Sequence, residues 1–225
     1  AEAADADAAA ARLSARELLF TAHAAATAAA AALEEFDQRV VPLSERAYAA
    51  TLAGYERTPT PHVGDLTLPA VEADGTETDL AMKATEGKVM LVYFGYTNCP
   101  DICPTTLADV RQALGDLGDK ASDVELAMVS IDPEVDTPEI LTGYVRSFVP
   151  DAKAVRTLDD TRLRAAAEGF GADYGHEEVD GKLQPFHTTS LYAVDPKGDL
   201  VLSWTFGTKP ADLARDLRTL LERVA

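Results

Sequence analysis

The sequence is short of basic residues, and this shortage limits the partners that the chain can bind. Its 225 residues include 20 lysines and arginines against 38 aspartates and glutamates, which gives a formal net charge of −18. A phosphate backbone or an anionic lipid surface repels such a chain unless basic residues cluster locally, and the sequence contains no such cluster. The composition therefore argues against a nucleic-acid-binding protein. It is typical of an acidic, solvated surface, or of a face that attracts a basic or cationic partner.

The sequence also lacks a long apolar segment. The longest uncharged stretch, Leu18 to Leu33, is shorter than the roughly 20 apolar residues of a membrane-spanning helix, and it contains His23. The chain begins at Ala1 without the basic segment that opens a secretion signal. We therefore expect that any export signal or anchor is absent from this chain.

Cysteine is scarce as well, and both cysteines lie in one octapeptide, Thr97–Pro104. The apolar run Val89–Phe94 before it predicts a buried strand, and helical spacing of leucine and valine after it predicts a helix with Pro104 at the first position. Cys99 then lies in the loop and Cys103 near the start of the helix, where free amides and the helix dipole favour the thiolate. The pair can act as a redox couple, as two ligands of one metal ion, or as both. A structural zinc site is disfavoured, because it needs four ligands and histidines are scarce.

A histidine and an aspartate in other segments are candidates to join the cysteines. His187 directly precedes a predicted core strand, Thr188–Val194, in a loop that a sheet of this plan places beside the cysteine loop. Two thiolates and one imidazole form a soft ligand set suited to Cu(I) and adaptable to Cu(II). Asp132 ends a neighbouring strand, where it either terminates that strand or tunes the thiolates as an outer carboxylate. His62 and His176 are the alternative histidines.

The order of predicted elements indicates an α/β protein behind an alanine-rich extension. Residues 1–57 are rich in alanine, the best helix former, and we expect a helical arm there. Pro59 and Pro61 cannot continue a helix, so we expect residues 58–225 to form the second domain. Its elements predict a central mixed sheet flanked by helices, with the cysteine pair at the carboxyl end of a central strand. The other predicted elements are a hairpin at Leu66–Val71 and Thr76–Leu80, strands at Val124–Ile131, Ala154–Leu158 and Leu200–Phe206, a tight turn at Val179–Lys182, and helices from Asp136, over Asp160–Gly169 and over Pro210–Val224.

Three groups of residues resemble the Sco/SenC family of copper-binding proteins, which belongs to the thioredoxin superfamily. The matching segments are Tyr93–Pro104, Ser130–Pro133 with Asp136–Pro138, and Phe186–Thr189 with Asp195–Gly198. The resemblance runs from about residue 62 to residue 225 and implies a thioredoxin-like fold. It also implies that Cys99, Cys103 and His187 bind copper and that Asp132 is an outer-sphere residue.

The same resemblance implies an extracytoplasmic metallochaperone. The family assists assembly of the dinuclear CuA centre of cytochrome c oxidase, as copper donor, as thiol reductant of the target, or as both. The implied partners are subunit II of cytochrome c oxidase or another copper acceptor, together with an upstream copper donor or thiol reductant. The implied location is the periplasm or the outer face of the cell membrane, with an N-terminal anchor absent from this chain. The sequence departs from the family at Phe186, where the family often has Asp, and in its alanine-rich arm.

The residues alone leave a second class of function open. Cys99 and Cys103 also suit a thiol-disulfide oxidoreductase or a peroxidase-like protein that acts on protein thiols. Three residues separate the cysteines, whereas the thioredoxin motif has two, and a peroxidase needs no metal-capable histidine. His187 therefore distinguishes the two interpretations, and copper binding by the reduced protein tests them. A redox or copper sensor that signals through the arm is a third interpretation. We expect a binding protein rather than a turnover enzyme, with thiol-disulfide reductase activity as the alternative.

Overall fold

The computed structural model describes residues 60–179 and 182–225, so the predicted arm, residues 1–57, lies outside the described part. In the described part the chain forms nine strands and four α-helices. The strands are β1 (Thr67–Val71), β2 (Glu77–Ala81), β3 (Val89–Gly95), β4 (Val124–Ser130), β5 (Lys153–Val155), β6 (Tyr174–Val179), β7 (Lys182–His187), β8 (Leu191–Val194) and β9 (Leu200–Trp204). The helices are α1 (Ile102–Leu117), α2 (Pro138–Phe148), α3 (Asp160–Phe170) and α4 (Pro210–Val224). None of these helices combines the length and the apolar character needed to cross a membrane.

Seven strands form one mixed sheet in the order β2-β1-β5-β4-β3-β8-β9. β3 lies between parallel β4 and antiparallel β8, and β4 also pairs in parallel with β5. Every residue of β3 is buried, which explains its continuous apolar sequence, because a strand covered on both faces needs apolar side chains on both. The predicted α/β plan with a central mixed sheet is confirmed.

Helices cover both faces of this sheet. Successive side chains of a strand point to opposite faces. Accordingly, Leu91 and Tyr93 join the core formed with α1, α2 and α4, whereas Val92 and Phe94 join the core formed with α3. The last helix is confirmed over its predicted range, and the first core buries its apolar face, made of Leu213, Ala214, Leu217, Leu220 and Leu221.

A separate hairpin, β6 and β7, carries one of the candidate residues. The two strands pair from Val179 opposite Lys182 to Tyr174 opposite His187. Asp180 and Gly181, the central residues of the predicted turn, lie outside the described part, but the pairing on both sides confirms the hairpin. Tyr174 is buried in the second core, so the base of the hairpin, where His187 lies, packs against the domain.

Hydrogen bonds at the base of this hairpin explain one wrong boundary. The strand predicted from Thr188 begins at Leu191 instead. The Thr188 amide donates to the Asp173 carbonyl (2.8 Å), and the Asp173 amide donates to the Thr188 hydroxyl (2.9 Å). The backbone of Thr188 therefore pairs with the segment that precedes the hairpin, and it does not pair with the central sheet.

A second boundary differs at β5, which ends at Val155 although the prediction extended it to Leu158. Arg156 is the next residue, and its Nε donates to the carbonyls of Pro133 (2.9 Å) and Asp136 (2.8 Å). The chain after β5 thus leaves the sheet and ties down the loop between β4 and α2, which lies beside the cysteine loop.

Candidate metal centre

The two cysteines lie between the end of β3 and the first turn of α1. Cys99 is in the loop, and Cys103 is the second residue of the helix. The Cys99 amide donates to the Tyr96 carbonyl (3.3 Å), and the Cys103 amide donates to the Cys99 sulfur (3.3 Å). Pro104 occupies the third helical position, so its prediction as the first is wrong. Proline fits there equally well, because the first amides of a helix have no acceptor within it.

His187 brings an imidazole to these sulfurs from the end of β7. Its Nε2 lies 3.5 Å from the Cys103 sulfur, and its Nδ1 lies 2.9 Å from the Thr188 carbonyl oxygen. A carbonyl can only accept, so Nδ1 carries the proton and Nε2 presents a lone pair toward the sulfur. The two sulfurs and an imidazole nitrogen lie within 4.8 Å of one another, and no other such potential ligand group occurs in the described residues.

Burial keeps this imidazole in its metal-binding form, and two tyrosine rings pack against it. The rings of Tyr93 and Tyr96 pack edge-on against His187, with centroid distances of 5.9 and 5.8 Å. Burial lowers the pKa of His187, and its hydrogen bond to the Thr188 carbonyl only partly offsets this effect. The neutral imidazole is the form that ligates metals.

Burial also dominates the chemistry of Cys103. Its side chain is completely buried, and burial raises the pKa of the Cys103 thiol to about 12, although the Tyr93 hydroxyl and the Tyr96 amide lower it. The expectation that the helix N-terminus favours the thiolate is therefore wrong for this residue, because desolvation of a charged sulfur is the larger effect. A metal ion removes this difficulty, since it replaces the proton and supplies a positive charge.

The carboxylate that holds the cysteine loop belongs to Asp136. This side chain is completely buried. It accepts hydrogen bonds from the Thr97 amide (3.2 Å), the Thr97 hydroxyl (2.5 Å) and the Ser130 hydroxyl (2.6 Å). In the sequence, Asp136 has only the features of a helix start, and Thr137 is in fact the residue that caps α2. A buried carboxylate two residues before a helix has the same local pattern as an exposed one, so only the tertiary contacts identify it.

The predicted outer residue, Asp132, is half-buried at the end of β4. Burial raises the pKa of its carboxyl group. The Asp132 amide donates to the Ser130 hydroxyl (3.2 Å), which donates to Asp136, so Asp132 adjoins the residues that hold the cysteine loop. In the part of the chain that the structure describes, no hydrogen bond joins the Asp132 carboxylate to the cysteine loop.

The alternative histidines do not join the cysteines. His62 is exposed and pairs through Nδ1 with the Asp199 carboxylate at 3.0 Å. His176 is exposed on β6, opposite Pro185. Of the three histidines in the described residues, the structure brings only His187 to the sulfurs.

Comparison with known proteins agrees with this fold. The SCO1/SenC family model matches residues 69–222. The SCO2-like protein of Rickettsia prowazekii is 30% identical over 115 residues, which cover 50% of this chain and 56% of the relative. The mitochondrial SCO1 homolog of Homo sapiens is 28% identical over 136 residues, which cover 59% of this chain and 45% of the relative. The matches thus span about half the length of these curated relatives.

A solved structure shows the same architecture. ScoI of Bradyrhizobium japonicum, with copper bound, matches with a TM-score of 0.58 and 28% identity, over 71% of this chain and 98% of that one. The fold and the site define a thioredoxin-like protein with a cysteine-cysteine-histidine candidate metal centre. With more than half of its length matched by the family model, the chain belongs to the SCO1/SenC family.

Proposed function

We propose that this protein binds one copper ion through Cys99, Cys103 and His187. The observation that carries the proposal is the convergence of three soft donors within 4.8 Å, from two segments 84 positions apart in the sequence. Two thiolates select a soft ion such as Cu(I), and the imidazole retains the ion when it is oxidised to Cu(II). The copper-bound ScoI structure supports the choice of metal.

The donor set suits copper better than structural zinc. Structural zinc sites close a tetrahedron with four protein ligands. The described residues bring three ligand atoms together and offer no fourth in the same group. A three-donor site that opens toward solvent at the half-buried His187 can exchange its ion, as a protein that passes copper to another requires.

The role that we propose is assembly of the CuA centre of cytochrome c oxidase, outside the cytoplasm, in the periplasm or at the outer face of the membrane. The acceptor would be subunit II of the oxidase or another copper-binding protein, and a separate donor or thiol reductant would load or reduce the site. Membership of the family supports this role. We propose a binding and transfer protein and not an enzyme that turns over a small substrate.

Exposed apolar side chains at the edge of the sheet that carries the site support a protein acceptor. β9 runs in the same direction as β3, because both pair antiparallel with β8. In the described residues, the exposed large apolar side chains are Val135, Ile140, Leu158, Phe186 and Phe206. Val135, Leu158 and Phe206 follow the carboxyl ends of β4, β5 and β9, at the edge of the sheet where β3 leads into the cysteine loop. Exposed apolar side chains at that edge suit contact with another protein.

The second candidate function is thiol-disulfide exchange, favoured by the closeness of the two sulfurs. In this reaction Cys99 and Cys103 form an S–S bond and give up two protons and two electrons, and the target's disulfide accepts them and becomes two thiols. Both functions can operate in one protein, because assembly of a copper centre needs reduced cysteines in the acceptor.

Copper titration of the reduced full chain separates these functions. We expect one equivalent of copper in the wild-type protein. His187→Ala should weaken Cu(II) binding at least tenfold, since one of three ligands is lost, while some Cu(I) stays on the sulfurs. His176→Ala is the matched control and should bind copper like the wild type. Unchanged Cu(II) affinity in His187→Ala would show that another group is the third ligand, and no copper binding by the wild type would favour the thiol-exchange function.

A further inference from the structure

Three buried hydroxyl groups near Cys103 have no hydrogen-bond partner. Among the described residues, these are the buried side-chain oxygens or nitrogens without one: Tyr93 Oη, Thr106 Oγ1 and Tyr144 Oη. Thr106 lies one helical turn after Cys103 on α1, and both tyrosines pack in the core that contains Cys103. Buried polar groups are nearly always paired, so three unpaired hydroxyls in this core require an explanation.

Tyr93 packs directly against a proposed metal ligand. Its side chain is completely buried, its ring meets the His187 ring edge-on at 5.9 Å between centroids, and its hydroxyl has no hydrogen-bond partner among the described residues. Gly95 allows the Tyr93 ring and the Cys103 sulfur to lie close together. A Cβ atom at Gly95 would lie 2.8 Å from Tyr93 Cε1 and 3.1 Å from the Cys103 sulfur. The absence of a side chain there lets the ring and the sulfur share one space.

A metal ion bound at Cys103 would give this hydroxyl a partner. A neutral thiol is a weak acceptor, whereas a thiolate sulfur accepts hydrogen bonds strongly. His187 Nε2 lies 3.5 Å from the sulfur and can accept a hydrogen bond from the thiol. Once Nε2 ligates a metal ion, its lone pair is no longer available for this hydrogen bond. The charged sulfur then depends on other donors, and the Tyr93 hydroxyl and the Tyr96 amide are the groups that face it.

We propose that Tyr93 is a positioning residue whose hydroxyl donates a hydrogen bond to the Cys103 sulfur once that sulfur is a metal-bound thiolate. Tyr93 thereby lowers the stability of the protein with a neutral Cys103 thiol and raises its affinity for copper. The inference rests on the proposed copper site. It adds Tyr93, which is not a ligand and which acts on the metal through the ligand Cys103.

The variant Tyr93→Phe tests this inference, because it removes the hydroxyl and keeps the ring that packs against His187. Tyr192→Phe is the control, since Tyr192 is buried in the core on the opposite face of the sheet. Three measurements on the full reduced chain are needed: the thermal midpoint before copper is added, the Cu(I) affinity against a coloured chelator, and the sulfur-to-Cu(II) charge-transfer absorption.

For Tyr93→Phe we expect an unchanged or higher thermal midpoint, because an unpaired buried hydroxyl is removed. We also expect a Cu(I) affinity about tenfold lower, which is the effect of losing one charge-assisted hydrogen bond. The charge-transfer band should move to longer wavelength, since the sulfur electrons are less stabilised. Tyr192→Phe should leave the affinity and the band unchanged.

Two results would overturn the inference. Wild-type copper affinity and absorption in Tyr93→Phe would show that the hydroxyl does not contact the metal-bound sulfur. A clearly lower thermal midpoint in Tyr93→Phe would show that the hydroxyl is already satisfied in the protein without copper. Failure of the wild-type protein to bind copper is a different result, which would overturn the proposed function itself.

Discussion

Replacing Asp136 by alanine tests whether this buried carboxylate holds the cysteine loop in place. The change removes the acceptor for the Thr97 amide, the Thr97 hydroxyl and the Ser130 hydroxyl. A buried donor without a partner costs about 1–3 kcal/mol. The Ser130 hydroxyl keeps one contact, because it accepts from the Asp132 amide at 3.2 Å, and half-buried Thr97 can reach water. We therefore expect Asp136→Ala to lower the free energy of unfolding by about 2–4 kcal/mol.

The conservative change Asp136→Asn should have a smaller effect. The amide oxygen still accepts one hydrogen bond, and the hydroxyls of Thr97 and Ser130 can rotate to accept from the amide nitrogen. We expect a loss of about 1–2 kcal/mol for this variant. Asp79→Ala is the matched control, because its carboxylate is 79% exposed and makes only a 3.9 Å contact with Arg162. A surface change of this kind should stay within about 0.5 kcal/mol.

Urea unfolding of the reduced full chain, followed by circular dichroism, gives these free energies, and a copper titration of each variant reports on the site. Thr97 is two residues before Cys99, so release of Thr97 should also weaken copper binding. A loss below about 1 kcal/mol in Asp136→Ala, together with wild-type copper affinity, would refute the reasoning. It would mean that the loop keeps its geometry without the carboxylate.

Three further predictions concern the cysteines and the arm. Protein oxidised to the Cys99–Cys103 disulfide should take up no copper, because a disulfide sulfur is not a thiolate ligand. The loss of two hydrogens in the protein mass checks the oxidation, and uptake of a full equivalent of copper would contradict the prediction. Burial raises the pKa of the Cys103 thiol to about 12 from an unfolded value near 8.5, so its contribution to stability is complete below about pH 8.5 and is lost as the pH rises toward 12. Urea midpoints on both sides of about pH 8.5 should show this decline in the wild type and a weaker one in Cys103→Ser, and equal declines would exclude Cys103 as the cause. A chain that begins at Thr60 should keep wild-type copper affinity, because all three proposed ligands follow that residue, and a folded but copper-free truncated protein would show that the arm contributes to the site.

Local patterns in the sequence predicted the elements around the cysteines, because those elements depend on short-range physics. The apolar run of β3 requires burial on both faces, and proline near the start of α1 and α2 marks helix beginnings. The approach of His187 to Cys103 could also be expected, since chain topology alone brings the segment before β8 beside the end of β3. These parts of the prediction follow from periodicity and connectivity, which can be read along the chain.

The remaining properties of the site depend on contacts that no local pattern contains. Asp136 and Asp132 both follow β4 and both lie near a proline, yet only Asp136 is completely buried and bonded to Thr97. The raised pKa of Cys103 similarly reflects how completely the core formed with α1, α2 and α4 excludes water, whereas the helix dipole that favours the thiolate is visible from the sequence. Burial and pairing of polar groups emerge only when distant segments pack, so these properties needed the structure.

The position of His187 links the two chemical states of the cysteines to different parts of the fold. Copper ligation would join the cysteine loop to the base of the β6–β7 hairpin across 84 positions, whereas a disulfide would join residues only four positions apart. Copper that binds only the folded site should stabilise the whole domain by mass action, whereas a disulfide between residues four positions apart closes a short loop and restricts the unfolded chain little. Without copper, the hairpin base is held by buried Tyr174 and by the hydrogen bonds between Thr188 and Asp173. Exposed Phe186 lies on this hairpin, and a partner that contacts it would therefore contact a segment whose attachment depends on the state of the cysteines.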